Sequence, residues 1–204
     1  MAAHRFVTQH KGNLDQMVSP TISPIGRVSA GLFAGWALAS INSNLKRAIL
    51  GEYIVHLALE TASTEHEEWN WYDVAYADLK IEVKTSGFVT PPFAETKRKP
   101  VPSFDIKKRV RAWENDTNKL RYYDTPSRPS DVYIFAVLCG VTKQDYDPFD
   151  LSCWRFVVAP TVVLNSTFGD QLTVSLPRLR QLFPYLRFDQ LRHEIDRLIS
   201  EQRS

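Results

Sequence analysis

The chain has 204 residues, of which 44% are hydrophobic, 12% aromatic and 24% charged, and its formal net charge is +2 at pH 7. This composition excludes a disordered chain and a fibrous repeat, and no run of about 18 uncharged apolar residues is present to span a membrane. Cys139 and Cys153 form no CxxC pair or zinc spacing, and we find no secretory signal, so we expect a reduced, cytoplasmic protein.

The first part of the chain is predicted to be irregular and then helical. Residues 1–30 are polar and contain two prolines, which indicates an N-terminal arm or irregular lead-in. A short apolar helix is predicted over residues 31–40, and a longer one from Asn42 or Ser43 to about Ala62. Apolar side chains recur in the longer helix at helical spacing and predict its buried face. That face consists of Leu45, Ala48, Ile49, Tyr53, His56 and Leu57.

Two strand-like runs follow and are predicted to pair as a hairpin. They cover residues 69–75 and 80–86, and the register that we predict places the turn at residues 78–79. In this register Asp73 lies opposite Lys84. Because side chains alternate between the two faces of a strand, these two side chains are expected to project from the same face of the hairpin.

The later elements predict a sheet covered by helices. We expect a proline-rich loop over residues 88–102, followed by a segment over 104–112 that fits either a strand or a short helix. Two buried strands are predicted over 131–139 and 153–158, and an edge strand over 172–175. Two C-terminal helices are predicted over 176–183 and 188–200. The pattern predicts a single α/β domain over residues 31–204, with a central mixed β-sheet flanked by helices.

The predicted hairpin carries the residues with the clearest chemistry. Glu82 shares the strand face of Asp73 and Lys84, so two carboxylates and an ammonium group converge. Such a pair of carboxylates can hold Mg²⁺, which prefers oxygen ligands, and a neighbouring lysine can orient a water or offset charge on a phosphate. Asp78 is the alternative strand aspartate, but its position in the predicted turn suits an ordinary turn carboxylate.

This arrangement resembles the PD-(D/E)XK nuclease superfamily. The resemblance rests on Asp73 and on the segment Ile81-Glu-Val-Lys-Thr-Ser86, and it covers about residues 42–90. No proline precedes Asp73, which departs from the family pattern. Members often carry a further glutamate on the preceding helix, and Glu52 stands at that place.

The resemblance implies a restriction-endonuclease-like fold and a metal-dependent reaction. Asp73, Glu82 and the backbone carbonyl of Val83 would bind Mg²⁺, for which Mn²⁺ can substitute. Lys84 would position the attacking water, and Glu52 would complete the catalytic set by helping to hold a second cation or a water.

A bacterial group within this superfamily is also similar through four later segments. They are Phe104-Asp-Ile, Asp131-Val-Tyr-Ile-Phe-Ala, Asp147-Pro-Phe-Asp-Leu and Trp154-Arg-Phe.

The charge changes sign along the chain. Between Glu52 and Asp78 there are seven acidic residues and no lysine or arginine, whereas between Lys80 and Arg128 twelve basic residues stand against six acidic ones. Charged runs of this kind are typical of solvated faces, but next to an anion-cleaving site we favour contact with nucleic-acid phosphates. The residues that we expect to make it are Lys97, Arg98, Lys99, Lys107, Lys108, Arg109 and Arg111.

Several aromatic and histidine side chains have two interpretations. Trp113, Tyr122 and Tyr123 could stack on bases, although we interpret them as core residues. His56 could act as a base, although a hydrogen-bonded histidine in the protein core is the interpretation that we favour.

The resulting functional prediction is a nuclease that hydrolyses phosphodiester bonds in DNA, and an endonuclease rather than an exonuclease. Restriction, repair and mobile-element defence all fit this prediction. One alternative is a non-catalytic nucleic-acid-binding or assembly protein that retains the fold, and another is an RNA-processing nuclease. The C-terminal apolar stripe Phe188, Leu191, Ile195 and Leu198 either packs on the protein's own sheet or forms a homodimer.

Overall fold

A computed structural model describes residues 30–39, 41, 43–62, 70–88, 100–114, 117–140 and 146–203. The chain divides into two units, Met1–Ile41 and Asn42–Ser204. Helix α1 (Ala30–Leu38) belongs to the first unit and confirms the short apolar helix predicted there. Most of the predicted arm lies outside the described residues, and the division into an arm and a domain stays a prediction.

The described residues of the second unit form helices and strands in mixed order. The helices are α2 (Asn44–Leu59), α3 (Thr161–Phe168), α4 (Leu176–Arg180) and α5 (Phe188–Gln202). The strands are β1 (Val74–Tyr76), β2 (Leu79–Gly87), β3 (Ser103–Asp105), β4 (Arg109–Glu114), β5 (Lys119–Ser127), β6 (Val132–Leu138), β7 (Trp154–Pro160) and β8 (Thr173–Ser175). The predicted α/β class is therefore confirmed, whereas its restriction-endonuclease-like type stays a prediction.

The central sheet is mixed, as predicted. Its strands lie in the order β1-β2-β6-β7, with β2 and β6 parallel and the two outer pairs antiparallel. All seven side chains of β6 are buried, because both faces of the sheet are covered. The predicted edge strand near residues 172–175 is present as β8, but it pairs with β3 in a separate two-stranded sheet.

The hairpin register that we predicted is wrong by two residues. Tyr76 pairs with Leu79 and Ala75 pairs with Lys80, so the turn residues are Ala77 and Asp78. Leu79 is buried, and burial of this apolar side chain requires it to lie in the strand rather than in the turn. A shift of two residues leaves every side chain on its original face, so the shared face of Asp73, Glu82 and Lys84 is retained.

Helix α2 begins as the sequence predicted. Ser43 is the N-cap, and its side chain accepts a hydrogen bond from the backbone N–H of Lys46 at 3.2 Å. The helix ends at Leu59, and Glu60 follows in the left-handed conformation with a φ of 57°.

The predicted buried face of α2 is wrong. The buried residues are Arg47, Gly51, Ile54, Val55 and Leu59. Most of the predicted apolar face is instead exposed, namely Leu45, Ile49, Tyr53 and Leu57. The helix turns its glycine towards the sheet because only a residue without a side chain can approach β2 so closely, and this contact decides which face is buried.

Two apolar cores lie on opposite faces of the central sheet. On one face α2 and α5 pack against alternate side chains of the four strands. On the other face α3, α4, β3 and β8 cover the remaining side chains, among them Tyr133 and Phe135. The candidate catalytic residues of β2 project towards this second face.

The apolar stripe of α5 packs on the protein's own sheet. Leu191, Ile195 and Leu198 are all buried in the core that α2 and the sheet also form. This observation decides between the two interpretations of the stripe, since an intramolecular surface covers it. A homodimer stays a prediction, without this stripe to support it.

Three parts of the fold were not predicted from the sequence. Residues 104–112, which fitted a strand or a helix, divide between β3 and β4. Strand β5 was missed because it is largely exposed and contains Pro126, so it lacks the apolar alternation of a half-buried strand. Helix α3 was missed because its β-branched residues continue directly from β7. Among the described residues, no helix has the length and apolar character that crossing a bilayer requires.

Candidate active site

Asp73 lies immediately before β1 and is tied to β2 by two hydrogen bonds. Its backbone N–H donates to the carbonyl of Ile81 at 2.9 Å. Its carboxylate Oδ2 accepts from the backbone N–H of Val83 at 2.6 Å. These bonds hold the carboxylate against the strand that carries Glu82 and Lys84, and they leave Asp73 Oδ1 without a hydrogen bond from a described residue.

Glu82 is buried at the centre of the site, with only 2% of its surface exposed. Its Oε1 accepts a hydrogen bond from Arg109 Nη2 at 2.5 Å and another from the ammonium group of Lys84. Its Oε2 has a weaker contact, with Ser130 Oγ at 3.5 Å. A carboxylate so far removed from water is stabilised by these two cations, which together offset the cost of burying its charge.

Burial raises the pKa of Asp73 to about 7. Desolvation is the largest cause, and the negative charge of Glu82 adds to it. Lys84 and the Val83 N–H act in the opposite direction, and Glu52 raises the pKa a little further.

The perturbed carboxyl group of Asp73 predicts a dependence of stability on pH. Because its pKa is higher in the folded protein than in the unfolded chain, the folded state binds more protons between about pH 4 and 7. In EDTA, the free energy of unfolding should therefore fall by about 1–3 kcal/mol as the pH rises through this window.

Asp73→Asn should remove most of this fall, which urea unfolding at a series of pH values would measure. Asp78→Asn is the matched control, since the Asp78 carboxylate is exposed and pairs with Arg203 at 2.7 Å. Equal pH profiles for the wild type and Asp73→Asn would contradict the electrostatic environment that we describe.

The structure brings together three of the four predicted catalytic residues. Asp73, Glu82 and Lys84 are held by contacts within the hairpin, whereas Glu52 lies on α2 and is linked to them only by the small effect of its charge on the pKa of Asp73. The alternative aspartate, Asp78, lies in the turn and forms its ion pair away from this group. His56 does not take part through its Nδ1, which is 2.9 Å from the hydroxyl of Thr61.

Arg109 has a position that the sequence did not predict. It was expected to contact nucleic-acid phosphates, but its guanidinium group lies on Glu82. The two residues are far apart in sequence, so no local spacing could have revealed the contact. Ser130 and Tyr133 on the same side of the sheet were missed for the same reason, and burial and the Glu82 charge raise the pKa of the Tyr133 phenol.

The oxygens of the site suit one hard cation. Asp73 Oδ1 and Glu82 Oε2 are the carboxylate oxygens with the fewest partners, and a divalent ion between them would relieve the repulsion that raises the pKa of Asp73. The described residues contain no group of three or more acidic, histidine or cysteine side chains arranged to hold a metal. Any ion held here would therefore keep several waters, as Mg²⁺ commonly does.

The predicted phosphate-binding residues differ in their availability. Lys107 is exposed and its side chain has no ion pair with a described residue, and Arg111 is exposed as well. Lys108 is paired with Asp170 at 2.8 Å. The cluster of Lys97, Arg98 and Lys99 lies outside the described residues.

Comparison of the chain with protein-family models, with curated proteins and with solved structures gave no match.

Proposed function

We propose that the protein is a metal-dependent nuclease that hydrolyses phosphodiester bonds in DNA. The observation that carries this proposal is the convergence of Asp73, buried Glu82 and Lys84 on one face of the β1–β2 hairpin, beside Arg109. Two carboxylates with one ammonium group form a set that can hold Mg²⁺ and act on a phosphate. A structural ion pair needs only one carboxylate and one cation. The second carboxyl group here is that of Asp73, and its raised pKa points to a functional role.

The proposed roles follow from the contacts. Asp73 and Glu82, with the Val83 carbonyl, would hold Mg²⁺ or Mn²⁺. The bound ion would supply positive charge on the phosphate and an activated water. Lys84, only partly exposed, would donate a hydrogen bond to that water and stabilise negative charge in the transition state. Glu52, whose charge raises the pKa of Asp73 slightly, would help to hold a second cation or a water.

The experiment that tests this function measures cleavage by the wild type. Supercoiled, linear, single-stranded and branched DNA, together with RNA of the same sequence, would be incubated with Mg²⁺, Mn²⁺ or EDTA. We expect cleavage of DNA that requires the metal, is lost in Asp73→Asn and is retained in Asp78→Asn. Failure to cut any of these DNA substrates with either metal would count against a DNA nuclease, and cleavage of RNA alone would make it a ribonuclease.

Substitution of Lys107 tests the predicted contact between this side chain and nucleic-acid phosphates. Lys107→Ala should lower the magnitude of the log–log dependence of duplex affinity on salt by about 0.9, because one released counterion is lost. Lys108→Ala should change this slope less, since its ammonium group is already paired with Asp170. Affinities measured in EDTA at several salt concentrations would give both slopes. An unchanged slope in Lys107→Ala would show that Lys107 is only a solvated side chain.

A second candidate is a nucleic-acid-binding protein that keeps the nuclease fold without catalysis. One observation favours it: Lys84 and Arg109 already occupy Oε1 of Glu82, so this carboxylate is neutralised without a metal. Calorimetric titration with Mg²⁺ and Mn²⁺ distinguishes the two candidates. Binding that disappears in Glu82→Ala supports the nuclease, whereas no metal binding at any pH where the protein is folded supports the second candidate.

A further inference from the structure

Strands β4 and β5 form a two-stranded antiparallel ribbon, which we call the β4–β5 ribbon. Its strands pack mainly against each other and little against other described elements. Of its side chains only Ala112 is buried, while Tyr122 is 68% exposed. The prediction that Tyr122 is a core residue is therefore wrong. Two-stranded ribbons gain little stability in water on their own, so one that leaves aromatic side chains in solvent is typical of a binding surface.

The two faces of the ribbon differ in what their side chains contact. Opposite residues share a face, so Arg111 lies with Tyr122 and Trp113 lies with Leu120 on the first face. No described residue forms an ion pair or side-chain hydrogen bond with any of these four. On the opposite face, Arg121 lies 3.9 Å from Glu114 and 5.7 Å from the ring centre of Tyr123. On the second face Arg121 is therefore partly neutralised by Glu114, and Lys119 is exposed beside them. On the first face the guanidinium group of Arg111 lies beside the exposed side chains of Leu120 and Tyr122.

The first face suits duplex DNA in charge and in size. Arg111 is the one charged residue among these four, the exposed Asp124 follows Tyr122 by two residues on β5, and Lys107, which has no ion pair with a described residue, precedes the ribbon in the chain. Two strands about 5 Å apart, with their side chains, fit a major groove about 12 Å wide but not a minor groove about 6 Å wide. The major groove of an RNA duplex is too narrow and deep for such a ribbon. A guanidinium group among aromatic side chains can donate to base edges while the rings cover apolar sugar and methyl groups.

Both ends of the ribbon are fixed to the body of the second unit. At the start of β4, Arg109 contacts Glu82, and a shift in the pairing register follows between Arg109 and Arg111. Just after β5, buried Arg128 donates to the carbonyl of Ile106 at 2.5 Å and to Asn165 Oδ1 at 2.6 Å. The ribbon thus leaves the body directly beside the candidate active site, and hydrogen bonds fix both of its ends there.

We propose that the β4–β5 ribbon enters the major groove of duplex DNA through the face of Arg111, Trp113, Leu120 and Tyr122, and that Arg111 donates hydrogen bonds to base edges. DNA as the partner rests on the proposed function. The contact with Glu82 at the start of the ribbon would then set the distance between the bases that are read and the phosphate that is cut.

The test compares two variants that each remove one positive charge from the ribbon. Arg111→Ala acts on the proposed binding face, and Lys119→Ala acts on the opposite face, where Lys119 is exposed. Binding to random-sequence duplex DNA would be measured by fluorescence anisotropy in EDTA, so that cleavage has no part in it. We expect Arg111→Ala and Tyr122→Ala to weaken binding about tenfold and Lys119→Ala by no more than about twofold.

A chemical probe then tests the groove. The duplex bound most tightly would be selected from the random pool and treated with dimethyl sulfate, which modifies guanine N7 in the major groove and adenine N3 in the minor groove. We expect the wild type to protect guanine N7, and this protection to be lost in Arg111→Ala and kept in Lys119→Ala. Circular dichroism would confirm that all variants are folded.

The outcomes separate this inference from the proposed function. Three outcomes would each overturn the inference. They are an equal loss of DNA affinity in Arg111→Ala and Lys119→Ala, protection of adenine N3 alone, and no measurable duplex binding by the wild type. The protein could still cleave DNA in a metal-dependent way if either of the first two results were found. Conversely, the protein could protect guanine N7 in a way that depends on Arg111 and yet never cleave DNA. That result would support the proposed binding face of the ribbon and reject the proposed nuclease function.

Discussion

Glu82→Gln is expected to lower DNA cleavage by at least about 10³-fold, since it removes the buried negative charge that would hold the cation. Glutamine keeps the shape of the side chain and can still accept a hydrogen bond from Arg109. Lys84→Met should lower cleavage about 10²- to 10⁴-fold, because it removes the group that we propose as the donor to the attacking water. Initial rates under excess Mg²⁺, measured beside the thermal unfolding midpoint of each variant, would check both values.

Lys80→Met is the matched control for Lys84→Met. Lys80 lies on the same strand and the same face, but towards the turn, where its ammonium group stacks 4.5 Å from the ring centre of Tyr72. This variant should cleave DNA at close to the wild-type rate. If Glu82→Gln or Lys84→Met also cleaved at the wild-type rate with an unchanged midpoint, that residue would be removed from the proposed catalytic set.

Gly51→Ala is expected to destabilise the protein by about 1–3 kcal/mol, although alanine is usually the better helix former by about 1 kcal/mol. The reason is the close approach of α2 to β2. An added Cβ would lie 2.2 Å from Thr85 Oγ1 and 3.2 Å from Thr85 Cγ2, well inside normal contact distances. Either the helix or the strand must move, and Glu52 is the next residue of that helix.

Thr85→Ala provides the test of this explanation. Its Oγ1 is buried without a hydrogen-bond partner among the described residues, so removing it should cost little. In the Thr85→Ala background, Gly51→Ala should cost less than about 0.5 kcal/mol or even stabilise. Urea unfolding of the two single variants and the double variant would give the coupling energy. Additive effects would contradict the clash, and a stabilising Gly51→Ala in the wild-type background would reject it outright.

The sequence by itself predicted the parts of the protein that follow from local pattern. The buried strands β6 and β7 were evident because continuous apolar, β-branched runs fit only a sheet covered on both sides. The shared face of Asp73, Glu82 and Lys84 was also predicted correctly, even though the hairpin register was not. Alternation along a strand has a period of two, so a register error of two residues changes the partners but not the faces.

Only the tertiary structure decided which surfaces meet. Helix α2 buries the side that carries Gly51 rather than its more regular apolar stripe, since a close approach to Thr85 on β2 determines its orientation. The contact of Arg109 with Glu82, the deep burial of that carboxylate and the exposure of the β4–β5 ribbon likewise depend on residues distant in sequence. Periodicity reports which side chains share a face, but what covers that face is decided by the packing of the whole chain, and the charge state of Asp73 depends on that packing.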